Sequence, residues 1–105
     1  MQQQISKFLR CIEEQRFYDA HEVFEEVWFP RRFEKNGEVE LLKGFINAAV
    51  SFELYKRKRY HQSKKVWKNY LKYRQLLYKL QTPYTNEYHQ LVRYLDSYNK
   101  SLKTH

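Results

Sequence analysis

Residues 41–54, LLKGFINAAVSFEL, carry apolar side chains around most of a helical circumference. A helix of that kind is stable only when neighbours cover it on several sides. The rest of the chain must therefore supply amphipathic helices that pack around it, and its periodicity does so. Ile5, Phe8, Leu9 and Ile12 follow the i, i+3, i+4, i+7 spacing and predict a helix over about residues 2–14. Phe17, Ala20, Phe24, Val27 and Trp28 share one face of a second over about 16–29, where Pro30 disfavours helical geometry at Phe29. After the loop PRRFEKNG, turned at Gly37, the central helix is expected over about 38–56 and a fourth over 60–80. A fifth is expected over 83–100, with Thr82 as cap, Pro83 at the first helical position, and Tyr88, Leu91, Val92, Leu95 and Tyr98 as its buried stripe.

The expected fold is an all-α bundle of about five helices in one domain, residues 1–105, with the third helix central. Two glycines and two prolines leave little material for the turns of a small β-protein. Gly44, inside the central helix, predicts a close approach by a neighbour, because glycine weakens a helix interior. A single cysteine, Cys11, excludes an intramolecular disulfide and lies beside the first apolar stripe, as a packing residue does. The start MQQQISKFLR has neither the cationic and apolar regions nor the cleavage site of a signal peptide. The longest uncharged apolar run, FINAAVSF, is far too short for a membrane span. The expectation is a cytoplasmic protein.

Charge is divided unevenly. Residues 1–53 hold 7 Lys/Arg against 10 Asp/Glu, net −3, whereas residues 54–105 hold 13 against 2, net +11. In the fourth helix Lys64, Lys65, Lys68, Lys72 and Lys79 project to one side together with His61, and Val66, Trp67, Tyr70, Leu71, Leu77 and Tyr78 to the other. Lys56, Arg57, Lys58 and Arg59 crowd its N-terminal end, although cations favour a helix C-terminus. Such a stripe suits successive phosphates of a nucleic acid or the carboxylates of an acidic protein, with Tyr55 or Tyr60 able to stack on unpaired bases. It equally suits a plain solvated face. Glycine-rich phosphate loops, zinc-finger spacing and RNA-binding signatures are absent from the sequence.

The stretch DAHEVFE, residues 19–25, raises a different question. Helical projection turns His21 into the apolar stripe of the second helix and Glu25 to its edge, while Glu22 and Glu26 point away. Glu53 projects to the apolar side of the central helix, and Arg74 lies between Trp67 and Tyr70 on that of the fourth. Two readings stand open. In one, His21, Glu25 and Glu53 ligate a divalent metal, with Glu22 as general base. In the other, His21, Glu25, Glu53 and Arg74 form a buried polar network in which the guanidinium neutralises a carboxylate.

FYDAHEVFEEVW followed by LLKGFINAAVSF resembles the family catalogued as domain of unknown function 309 over roughly residues 8–77. The family pattern is a His-Glu-x-x-Glu-x-x-Trp helix followed by a Gly-Leu-Ile-Gln-like central helix. His21, Glu22, Glu25 and Trp28 fall on the first motif, and Gly44, Phe45, Ile46 and Asn47 on the second, with Asn47 in place of glutamine. The resemblance implies a small helical fold, weight on His21, and metal-dependent hydrolysis. Two departures stand out: Leu54 lies where the family often has a second histidine, and Lys58-Arg59 where it often turns with Gly-Asn. The reading expected to lead is a non-catalytic binding module, open to self-association, whose basic fourth helix faces an anionic partner. The alternative is a metal-dependent hydrolase-like or small-ligand site on His21, Glu25 and Glu53.

Overall fold

A computed structural model describes residues 1–103 and contains, among these, five α-helices: α1 (Gln2–Glu13), α2 (Phe17–Trp28), α3 (Gly37–Lys56), α4 (Tyr60–Arg74) and α5 (Thr85–Lys103). No strand occurs among the described residues, and none of the helices is long and apolar enough to cross a membrane. The apolar segment is the centre of the fold. Val39, Leu41, Leu42, Phe45, Ile46, Ala48, Ala49 and Phe52 of α3 are all buried, with α2 packed on one flank and α4 on the other. α1 lies on α2 through Ile5, Phe8, Cys11 and Ile12, and α5 closes the bundle with Tyr88, Leu91, Val92 and Leu95.

Aromatic rings hold these layers together. The ring of Phe45 contacts one ring from each of the other four helices: Phe8 at 6.5 Å, Phe24 at 5.7 Å, Tyr70 at 6.4 Å and Tyr88 at 5.8 Å between centroids. Two turns further along α3, Phe52 meets Phe17, Trp67 and Tyr98. Such pairs contribute ~0.5–1.5 kcal/mol each beyond the burial of their surface.

The helix ends depart from expectation in instructive ways. The second α-helix does stop where Pro30 predicts, with Trp28 its last residue and Phe29 its C-cap, but the helical course does not end there. Phe29 keeps helical dihedrals, and the chain tightens into a 3₁₀ turn over Phe29–Arg31, which tolerates proline near its start. The fourth helix ends at Arg74, six residues early, and continues as a 3₁₀ turn over Gln75–Lys79 that buries Leu77. α5 begins at Thr85 rather than residue 83. Pro83 and Tyr84 form a turn in which Thr82 Oγ1 accepts from the Tyr84 amide, while its own hydroxyl donates to Glu38. Glu38 also accepts from the Tyr88 hydroxyl, so one carboxylate fixes the entry of α5 against the start of α3.

α1 and α3 end alike. In each, the sixth and fifth residues of the turn donate amides back to the first and second: Arg16 to Cys11 and Gln15 to Ile12, and Arg59 to Leu54 and Lys58 to Tyr55. This ending requires a left-handed residue, usually glycine. Here Gln15 (φ 60°) and Lys58 (φ 63°) fill it.

α3 and α4 meet along small residues. Ser51 and Ser63 are both buried, and each hydroxyl donates to the other's carbonyl, at 2.8 and 2.7 Å. At Gly44 a Cβ would come within 2.7 Å of Tyr73 Cβ, an atom that cannot swing aside. Helix propensity favours alanine over glycine by ~1 kcal/mol, but this overpacking would cost ~1–3 kcal/mol. We expect Gly44→Ala to lower the melting temperature by several degrees, at ~4–8 °C per kcal/mol for a domain of this size. A raised melting temperature would show that the two helices do not meet this closely.

Candidate functional site

One turn of α2 gathers His21, Glu22 and Glu25. Its stripe runs through Phe17, Ala20, Val23 and Phe24, all buried, which leaves His21 at the rim with 22% of its side chain exposed. The imidazole sits between two carboxylates: Nε2 contacts Glu25 Oε2, one turn on, and Nδ1 lies 3.7 Å from Glu22 Oε1. One ligand atom from each of the three residues falls within 4.8 Å of the others. Tyr18, one turn back, places its ring 5.9 Å from the imidazole, and the neighbouring Glu22 carboxylate pushes its phenol pKa up through charge and a hydrogen bond.

The four-residue buried network is not assembled. Arg74 donates to Asp96 of α5 at 2.8 Å, and Glu53 accepts from Arg57, one turn on, at 3.0 Å. Neither reaches the His21 cluster, because each has a nearer partner of opposite charge. Glu22, projected outward from the helix, takes the place expected for Glu53: a projection fixes where Cβ points, and a flexible glutamate can turn back along the helix.

The basic residues lie elsewhere. Lys56, Arg57, Lys58 and Arg59 line the turn between α3 and α4, and Lys64, Lys65, Lys68 and Lys72 follow on α4; all eight are exposed. Arg57 is engaged by Glu53, and Lys56 donates to the Gln15 carbonyl while lying 5.8 Å above the Phe17 ring. Among the described residues, no acid lies within ion-pair distance of Lys58, Arg59, Lys64, Lys65, Lys68 or Lys72.

Beside this edge is a pocket that the sequence did not disclose. It is lined by Ser51 and Tyr55 of α3, Tyr60, Ser63, Lys64 and Trp67 of α4, and Asn99 of α5, with a volume of ≈ 570 Å³. Tyr55 donates its hydroxyl to the Leu102 carbonyl at 2.6 Å and packs edge-on against Tyr60, 4.8 Å between centroids. The proximity of Tyr55 and Tyr60 to the basic run was visible in sequence, but Asn99 reaches the pocket only through the tertiary fold.

No curated protein and no solved structure matches this chain. The model of the family described as "Domain of unknown function (DUF309)" matches residues 5–66, ending inside α4 and short of residue 77. That span covers more than half of the chain and includes both the His21 helix and the central helix, so the protein belongs to the domain of unknown function 309 family.

Proposed function

We propose that this protein is a binding module whose basic edge, Lys58, Arg59, Lys64, Lys65, Lys68 and Lys72, docks a polyanion. The observation that carries this reading is their arrangement: these six cations are all exposed, follow one another along the α3–α4 turn and α4, and have no acidic partner among the described residues. Lys64, Lys68 and Lys72 follow one another at single-turn intervals, a rise of about 6 Å each, on a helix anchored by Trp67 and Tyr70. Lys58 adds to the argument. Exposed in the left-handed position that closes α3, it sets a further charge at the head of the stripe.

Two measurements test this reading. Lys64→Glu/Lys68→Glu/Lys72→Glu should abolish heparin binding at moderate salt and leave the circular dichroism spectrum unchanged, since all three side chains are exposed. Unaltered heparin affinity would remove the reading. Lys58→Gly should raise unfolding stability by ~0.5–1 kcal/mol, the left-handed penalty less the chain entropy of glycine, while weakening heparin binding at low salt. A stabilised variant with unchanged affinity would show that Lys58 serves no partner.

A second reading has its own observation, the convergence of His21, Glu22 and Glu25. An imidazole and two carboxylates form a nitrogen–oxygen donor set suited to Zn²⁺ or Mn²⁺, with coordination positions left open to water. A bound ion would supply a polarised water, the chemistry implied by the family resemblance. Glu22 is then a ligand rather than the general base, and Glu53 takes no part. Protein purified without a histidine tag should gain about 2.7 kcal/mol of stability in Zn²⁺ or Mn²⁺ at 100 times the Kd. His21→Ala and Glu25→Ala should lose this gain and Glu53→Ala should keep it. A melting temperature indifferent to both ions would eliminate the site.

A further inference from the structure

We infer that the partner of the basic edge is a single-stranded nucleic acid, with one unpaired base seated in the pocket between Tyr55, Tyr60 and Trp67. This rests on the proposed polyanion reading and narrows it to one chemical class.

The pocket and the stripe share a residue. Lys64 lines the pocket and begins the Lys64, Lys68, Lys72 row, so a chain of negative charges laid along α4 passes the mouth of an aromatic cavity. An acidic peptide would use the lysines, but its backbone does not place a planar ring beside every charge. A duplex would also use them, but its bases are stacked inside and out of reach. A single strand alternates phosphates with exposed planar rings, and both halves of the site then have a function.

The cavity wall is suited to a base. Tyr60 is 53% exposed, and Tyr55, itself held by its bond to the Leu102 carbonyl, meets it at 66°. The orientation of Tyr60 is thus set by packing, while half of its surface stays open for stacking. The Ser51 and Ser63 hydroxyls donate to each other's carbonyls and leave the ligand no free hydroxyl donor. Asn99 contributes an amide with both donor and acceptor, the complement of a base edge. No carboxylate is among the lining residues to repel a phosphate. The volume of ≈ 570 Å³ falls within the ~300–1,000 Å³ range of small-ligand pockets.

The test uses fluorescence anisotropy on the full chain with labelled single strands of about 12 nucleotides, within the ~4–16 covered by single-strand-binding domains. Both RNA and DNA strands are used, along with the matched duplex and an abasic strand carrying the same phosphates. Either single strand should bind more tightly than the duplex and the abasic strand. Tyr60→Ala should weaken single-strand binding about 5- to 150-fold, the usual value of one stacked base, and leave duplex and heparin affinity unchanged. Tyr60→Phe should restore the preference. Equal affinity for single strand, abasic strand and duplex, with Tyr60→Ala without effect, would overturn the inference while leaving the polyanion reading intact. No binding to any of the strands or to heparin would overturn both.

Discussion

One ring, Phe45, sits where all five helices meet. It touches Phe8, Phe24, Tyr70 and Tyr88, one from each surrounding helix, and is itself fully buried. Its environment explains why the central segment tolerates so little polarity: a helix packed over most of its circumference keeps only a narrow face for water, here the exposed Glu40 and Lys43 and the half-buried Asn47. The other helices are then amphipathic by necessity, each turning one stripe into the shared core. Their outward faces are free to vary, and the charge separation of the chain is distributed over those faces.

Close approach on one side of α3 determines what α4 presents on the other. Gly44 admits Tyr73, and the Ser51–Ser63 pair joins the two backbones through hydroxyl-to-carbonyl bonds. With Trp67 and Tyr70 turned inward at this seam, Lys64, Lys65, Lys68 and Lys72 have only the outward direction available. The lysine row therefore owes its outward placement to packing on the opposite face.

Much of this could be read from sequence, for a physical reason. Periodicity reports which side of a helix is dry, and the stripes of Ile5, Phe8 and Ile12, of Phe45 and Phe52, and of Tyr88, Leu91 and Leu95 are all buried as that rule requires. Helix ends were less legible because they are set by partners distant in the chain, as Glu38 sets the start of α5 through Thr82 and Tyr88. Polar pairing was least legible. Arg74 projects toward an apolar face yet is satisfied by Asp96 of α5, which a projection of single helices gives no means of choosing, whereas the pairing of Glu53 with Arg57, one turn on, is one that i,i+4 spacing allows. The Glu22 side chain, placed by its backbone on the outer face, nonetheless turns to within 3.7 Å of His21.

The bond from Tyr55 to the Leu102 carbonyl joins the last turns of α5 to α3, and Asn99 on the same stretch closes one wall of the pocket. The shape of that cavity consequently depends on whether the far end of α5 stays wound. Fraying there would release Tyr55, free Tyr60 from its edge contact and draw Asn99 away, all in one event. A partner gripping the cavity would suppress that fraying, and amides near Leu102 would exchange their hydrogens more slowly as the cavity filled.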